Sequence, residues 1–205
     1  MADEPPGKFW HSLRGPSGYF AAMPTDARKL LPAKTAGWRE TVVLAVVAGL
    51  VPFLVHLIPW AGPRPLGVHL LPVFWTAFVA VYFHGALTGL AVGLVTPLVN
   101  LALTGLPAFG TVGPMAFEVA CFALGAAWLG SRWPGFWFTA PLAWVAAKAL
   151  AIAAQALLPA MPPAGPPLEH LLRSTQNGLA GLGVLAVINW LLVAFYPQAA
   201  DGKRE

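Results

Sequence analysis

Long apolar runs are the feature that most constrains this chain. They recur from Thr41 almost to the C-terminus, and short stretches rich in glycine and proline separate them. Only 10% of the 205 residues are charged, whereas a soluble domain typically carries about a quarter. So few charges leave too little polar surface to cover a soluble fold of this size. The sequence therefore predicts an integral membrane protein.

Windows of about 18–20 residues, the length that a helix needs to cross a bilayer, locate six candidate spans. The spans cover about residues 41–59, 66–83, 86–103, 112–130, 136–158 and 170–196. The runs are continuous rather than alternating, which argues against β-barrel strands. We expect an all-α polytopic membrane protein whose six transmembrane helices form one bundle.

The placement of lysine and arginine predicts the orientation of this bundle. With the N-terminus inside, nine of these residues lie in cytoplasmic pieces, whereas Arg64 and Arg173 lie toward the outside. We therefore expect both termini in the cytoplasm and the protein in the inner (cytoplasmic) membrane. Residues 1–40 would form a cytoplasmic tail that is disordered or rests on the membrane. Residues 41–196 would form the membrane domain, and residues 197–205 would form a second cytoplasmic tail. This asymmetry explains the basic charge without a nucleic-acid partner.

Patterns for helix packing occur in several spans. Gly85, Gly89 and Gly93 are spaced four residues apart, which places them on one stripe and lets a neighbouring backbone approach closely. We interpret this stripe as packing within the bundle. Asn189, in the inner half of the sixth span, is expected to make an interhelical hydrogen bond.

Polar side chains collect toward one end of the predicted bundle. When the spans are threaded alternately, six of them fall toward the outer face: His56, His69, Asn100, Glu118, Gln176 and Asn177. Polar groups are expensive in hydrocarbon, so this clustering predicts a binding cavity open to one side. The expected substrate-binding residues are His69, Asn100, Glu118, Lys148, Gln176 and Asn177.

Glu118 is the most constrained of these residues. A carboxylate two turns inside the fourth span should be paired, hydrogen-bonded or protonated. Lys148, at the middle of the fifth span, lies at a comparable depth and is a cation able to pair with it. A structural ion pair and two separate ligand contacts are equally open alternatives.

The sequence gives little support for catalysis. The aspartates are confined to the predicted tails, and neither a Gly-x-Ser-x-Gly nor a Gly-x-x-x-x-Gly-Lys-[Ser/Thr] pattern occurs. His56 and His69 flank the first outer loop without a pattern of further ligands, so we interpret them as hydrogen-bonding residues rather than metal ligands. We expect a protein that is not an enzyme and that binds no metal or cofactor.

Four motifs follow one another in the first two thirds of the chain. They are Gly67-Val-His-Leu-Leu-Pro-Val-Phe74, Gly85-Ala-Leu-Thr-Gly-Leu-Ala-Val-Gly-Leu-Val-Thr-Pro97, Leu103-Thr-Gly-Leu-Pro107 and Gly113-Pro-Met-Ala-Phe-Glu118. In this order they resemble the substrate-binding S components of energy-coupling factor (ECF) vitamin transporters, and within that superfamily the pantothenate-like branch. The resemblance covers about residues 41–130.

The resemblance implies a membrane-embedded protein that captures a vitamin-like solute from outside. It implies docking on a transmembrane coupling subunit driven by two ATPase subunits, and delivery of the solute by tilting in the lipid bilayer. Small residues of the first span would face the coupling subunit, which maps onto Ala45 and Gly49. The family usually has alanine at the second of these positions.

The charge of the ligand and the class of function both have alternatives. Lys148 or Arg173 would suit a carboxylate, as in a pantothenate-like acid, whereas Glu118 would suit a cationic or hydroxyl-rich ligand. One rival function is a structural membrane scaffold of the rod-shape-determining type, with no small-molecule ligand. Another is an intramembrane enzyme, which would need a convergent histidine–glutamate metal site.

Overall fold

Helices account for nearly all of the part of the chain that the structure describes. The structure is a computed structural model that describes residues 37–62, 64–157 and 165–196. Its helices are α1 (Trp38–His56), α2 (Leu66–Leu70), α3 (Pro72–His84), α4 (Ala86–Thr104), α5 (Phe109–Arg132), α6 (Thr139–Leu157), α7 (Pro167–Asn177) and α8 (Leu179–Phe195). The predicted tails fall outside the described residues, except for residues 37–40, which belong to the start of α1 and the residue before it.

The prediction of an all-α fold with helices long enough to cross a membrane is confirmed. Five stretches within the described residues meet the requirements of length and apolar composition: Trp38–His56, Leu66–His84, Ala86–Thr104, Phe109–Arg132 and Thr139–Leu157. Helices α7 and α8 meet these requirements together but are bent by 63° relative to each other. The count is therefore five, or six if the bent pair forms one span.

Two of the predicted spans are interrupted rather than continuous. Leu71 separates α2 from α3 and adopts a left-handed conformation with φ 56° and ψ 42°. Pro72 follows it, lacks an N–H group and disfavours the right-handed helical conformation at the preceding residue. Gly178 separates α7 from α8 directly after Asn177, and both residues have low helix propensity. In both places the local sequence breaks a helix that apolar composition alone would continue.

Helix α4 lies close to its neighbours because glycines face them. A side chain at Gly93 would place its Cβ 2.5 Å from Cγ1 of Val119 on α5, and one at Gly89 would meet Val81 on α3. The packing predicted for the glycine stripe is thus confirmed for these two residues. Gly105 ends α4 with φ 72°, a backbone conformation that glycine adopts without steric penalty.

The main hydrophobic core lies between α3, α5, α6 and α8 and has aromatic rings at its centre. The ring of Phe74 contacts those of Phe122 and Trp144 edge-on, with centroids 5.1 and 6.3 Å apart. These three side chains are almost fully buried. Such perpendicular aromatic contacts add to the stabilisation that burial provides and fix the ring orientations.

A buried amide joins α8 to the start of α6. Asn189 Oδ1 accepts a hydrogen bond of 2.7 Å from the backbone N–H of Ala140. This N–H lies in the first turn of α6, where the helix offers no carbonyl partner of its own. The interhelical hydrogen bond predicted for Asn189 is confirmed.

Substitution of Gly181 by alanine is expected to destabilise the protein. The new Cβ would lie 2.6 Å from the backbone oxygen of Leu70 and 2.6 Å from Cγ of Leu71, so the α2–α3 junction would have to move. Overpacking of this kind typically lowers the free energy of unfolding by about 1–3 kcal/mol. Thermal unfolding of the purified protein in detergent measures the effect.

Gly183→Ala is the matched control, since it changes the same helix two residues further on. A Cβ at Gly183 meets no atom of the described residues within 4 Å. Alanine also has the higher helix propensity, so the midpoint of unfolding should stay unchanged or rise slightly. Equal midpoints for the two variants would contradict the close packing of α8 on the α2–α3 junction.

Candidate binding cavity

A cavity of about 550 Å³ lies between the helices toward one end of the bundle. This is the end at which α1 and α4 finish and at which α3 and α5 begin. Its lining comes from α1 to α7 and from the loops that follow α1 and α4. The volume falls in the range of about 300–1,000 Å³ that is typical of small-molecule sites.

An ion pair crosses the wall of the cavity between α5 and α6. Lys148 Nζ lies 2.5 Å from Glu118 Oε2, and the two side chains are only 16% and 12% exposed. The ammonium group also lies 5.4 Å from the centroid of the Trp144 ring, within the range of a cation–π contact. Of the two alternatives that the sequence left open, the structure forms the ion pair.

Three buried polar atoms of the lining lack a hydrogen-bond partner among the described residues. They are Glu118 Oε1, Asn100 Oδ1 and Trp144 Nε1. Asn100 is 4% exposed, so water reaches it little from outside the bundle. An unsatisfied buried polar atom costs about 1–3 kcal/mol, and nearly all such atoms in proteins have partners. Their presence around one cavity indicates atoms that a bound molecule would satisfy.

The two predicted histidines are held by backbone carbonyl groups. His56 Nδ1 lies 2.6 Å from the oxygen of Pro52, and His69 Nδ1 lies 3.0 Å from the oxygen of Asn177. A carbonyl oxygen only accepts, so Nδ1 carries the proton and donates in both cases. His56 lines the cavity, whereas His69 stands outside its lining and ties α2 to α7. The ring of His69 also lies against that of Trp60, with centroids 5.8 Å apart.

The structure brings four of the six predicted substrate-binding residues to the cavity. These are Asn100, Glu118, Lys148 and Asn177. Gln176 is exposed and outside the lining, because neighbouring residues of a helix point about 100° apart. Arg173, considered as a carboxylate ligand, is exposed and forms an ion pair with Glu169 one turn earlier on α7.

Helix α7 supplies two lining residues that the sequence analysis did not single out, His170 and Ser174, beside the predicted Asn177. His170, Ser174 and Asn177 all line the cavity, and their spacing of four and three residues places them on one face of the helix. This spacing was visible in the sequence. The prediction of one span over residues 170–196 does not separate this polar face from the apolar residues that follow it.

The two small residues predicted to face a partner subunit lie in contacts within the bundle. Gly49 is buried, and a Cβ there would lie 2.5 Å from Cγ1 of Val99 on α4. Ala45 is half-buried and packs against the small cluster of Ala48, Ala80 and Val92. The glycine therefore allows α1 and α4 to approach each other closely.

Loss of either member of the ion pair is expected to destabilise the fold strongly. Glu118→Gln leaves the Lys148 ammonium group without its partner, and Lys148→Met leaves the Glu118 carboxylate without its partner. Each substitution should lower the free energy of unfolding by about 3 kcal/mol. The double variant removes both charges, so it should lose clearly less free energy of unfolding than the two single variants lose together. Unfolding in detergent by heat or denaturant gives the coupling energy.

The exposed pair of Glu169 and Arg173 provides the control for this cycle. Both side chains are more than half exposed, so their alanine variants should change stability by less than about 1 kcal/mol. If the double variant lost as much free energy of unfolding as the Glu118 and Lys148 variants lose together, the two residues would not be coupled.

The comparisons with known proteins add nothing to this geometry. Protein-family models, curated proteins and solved structures gave no match to the chain or its fold.

Among the described residues, no group of three or more histidine, cysteine, aspartate or glutamate side chains is placed to hold a metal ion. The cavity itself, with apolar walls, one ion pair and unpartnered polar atoms, has the features of a site for a small organic molecule.

Proposed function

We propose that this chain is the membrane-embedded substrate-binding subunit of an ECF-type uptake transporter, which captures a small water-soluble, vitamin-like solute. The cavity with its three unpartnered polar atoms is the observation that carries the proposal. Trp75 Nε1 is also buried without a partner and lies outside the lining, so the grouping of three such atoms at one cavity, rather than their burial alone, favours a binding site over a scaffold. A solute that satisfies these three atoms would restore the stability that their burial without partners costs.

The motifs that resemble S components contribute to this cavity. The first motif supplies Gly67 and Phe74, the Leu-Thr-Gly-Leu-Pro motif supplies Pro107, and the Pro-Met motif supplies Met115 and Glu118. The glycine-rich motif ends one turn before the unpartnered Asn100. Residues that are far apart in sequence thus meet at one site, as expected if the motifs serve a common ligand.

The charge distribution supports an outward cavity. The proposed topology has six spans, with α7 and α8 forming one bent span, and both termini in the cytoplasm. Arg39 and Arg132 then lie at the cytoplasmic end of the bundle, opposite the cavity, where the positive-inside rule favours them. The cavity faces the outside of the inner membrane, where a solute for uptake would arrive.

Transport by this chain would depend on partners. The sequence has no P-loop, so the energy for uptake would come from two ATPase subunits acting through a transmembrane coupling subunit. The proposed contact with the coupling subunit lies on the exposed face of α1 beside Ala45, whereas Gly49 is buried against Val99 of α4. There, Val42 and Val46 present exposed apolar surface beside Ala45.

Cysteine labelling tests the proposed orientation. Arg64 and Ser131 are exposed, near the cavity end and at the opposite end of the bundle respectively. In a Cys121→Ala background, a membrane-impermeant maleimide added to intact cells should label the Arg64→Cys protein. The Ser131→Cys protein should react only after the membrane is permeabilised. The reverse pattern would contradict an outward cavity.

A ligand screen tests the proposed function. The purified full chain is expected to gain thermal stability with one of the water-soluble vitamins or their precursors. A native-state ligand at 100 times its Kd stabilises by about 2.7 kcal/mol. The gain should saturate with concentration and should be smaller for Asn100→Leu than for Gln155→Leu, which removes an amide outside the lining of the cavity. If folded protein responds to no compound, the scaffold function takes precedence.

A further inference from the structure

We infer that the cavity takes an uncharged solute with an apolar body and at least two hydrogen-bond donors, such as hydroxyl or amide N–H groups. This inference rests on the proposed function and narrows the class of substrate. It follows from how the charges in the wall are paired, from which polar atoms remain unpartnered, and from what surrounds them.

The charges in the wall already neutralise each other. Lys148 and Glu118 are 2.5 Å apart, so together they present no net charge to the cavity. A carboxylate ligand next to Lys148 would also approach Glu118, and a cationic ligand next to Glu118 would also approach Lys148. Electrostatic interactions are strong where water is excluded, so either kind of ion meets a repulsion that offsets its attraction.

The other ionisable groups of the lining do not supply a buried charge opposite this pair. Arg64 is exposed in the loop before α2, where water and salt screen its charge. His56 is engaged with the carbonyl oxygen of Pro52. His170 is half-buried on α7 and lines the same cavity, and its burial and the nearby Lys148 both favour the neutral imidazole.

The unpartnered atoms define the hydrogen bonds that a ligand must make. Glu118 Oε1 and Asn100 Oδ1 are acceptors, so they require donors on the ligand. A carboxylate would bring more acceptors and leave both unsatisfied. Trp144 Nε1 is a donor, and it suits one carbonyl, hydroxyl or ring nitrogen of the same molecule.

The remaining lining favours an apolar body. Leu71, Val73, Phe74, Met115 and the ring of Trp144 form much of the wall around these polar atoms. A ligand composed only of hydroxyl groups would leave this apolar surface without matching contacts. A compact molecule with an apolar skeleton and a few donors suits both parts of the wall, and the volume of about 550 Å³ limits it to a small solute.

Pairs of compounds that share a skeleton and differ in charge provide the test. We choose panthenol with pantothenate, nicotinamide with nicotinate, and biotin amide with biotin, and add thiamine as a permanent cation. Binding to the purified full chain is measured by equilibrium dialysis at neutral pH. In any pair that binds, the neutral member should bind at least about tenfold more tightly, as expected when one buried hydrogen bond is made rather than left unsatisfied.

Variants connect this preference to the named atoms. Asn100→Leu should weaken binding of the neutral compound by about tenfold, while Gln155→Leu leaves it unchanged. The double variant Glu118→Gln, Lys148→Met removes both charges but keeps an amide oxygen as acceptor at position 118. It should therefore keep the neutral compound within about threefold and discriminate less against the acid. If the Asn100→Leu variant does not fold, Asn100→Asp replaces it in the test. The aspartate keeps the acceptor oxygen but adds a negative charge, so this variant should bind the acid more weakly than the unsubstituted protein does.

The outcomes separate this inference from the proposed function. Saturable binding in which an acid or thiamine is preferred would overturn the inference and leave a substrate-binding subunit in place. Preference for a neutral compound that a folded Asn100 variant does not change would also overturn it, since the acceptor would then play no part. No saturable binding of any compound would overturn the proposed function, and the inference with it.

Discussion

The ion pair between Lys148 and Glu118 is the constraint around which the cavity is organised. Neither charge is tolerable alone in an apolar bundle, so each depends on the other helix for its partner. The pair joins α5 to α6, and the second carboxylate oxygen of Glu118 has no hydrogen-bond partner among the described residues. A single interaction thus stabilises the contact between two helices and sets the charge that a ligand would meet.

Interruptions of the helices bring the rest of the wall to this pair. Leu71 interrupts the span that α2 and α3 form together, and Gly178 lets α7 bend away from α8 by 63°. A side chain at Gly178 would contact Leu71 and Trp144, so the bend brings the α7–α8 junction close to the aromatic core. Continuous helices at these places would carry the polar residues of α7 along the bundle instead of across its end.

The helical membrane fold was largely predictable because apolar composition and turn residues act locally. The clustering of Asn100, Glu118 and Asn177 was also predictable, since alternate threading brings distant residues to the same end. The placement of Gln176 and His170 was not, because it depends on the rotation of α7 about its axis. That rotation follows from the bend at Gly178, from packing against α6 and from the hydrogen bond between His69 and the carbonyl oxygen of Asn177. The apolar composition of a single span contains none of these.

The bond between His69 and the carbonyl oxygen of Asn177 has a mechanical consequence. It joins α2 to the end of α7, and the close approach of Gly181 to Leu70 joins α2 to α8 at almost the same level. The helices α2, α7 and α8 are therefore connected to one another at one place beside the cavity. A displacement of α2 would therefore move the α7–α8 junction as well.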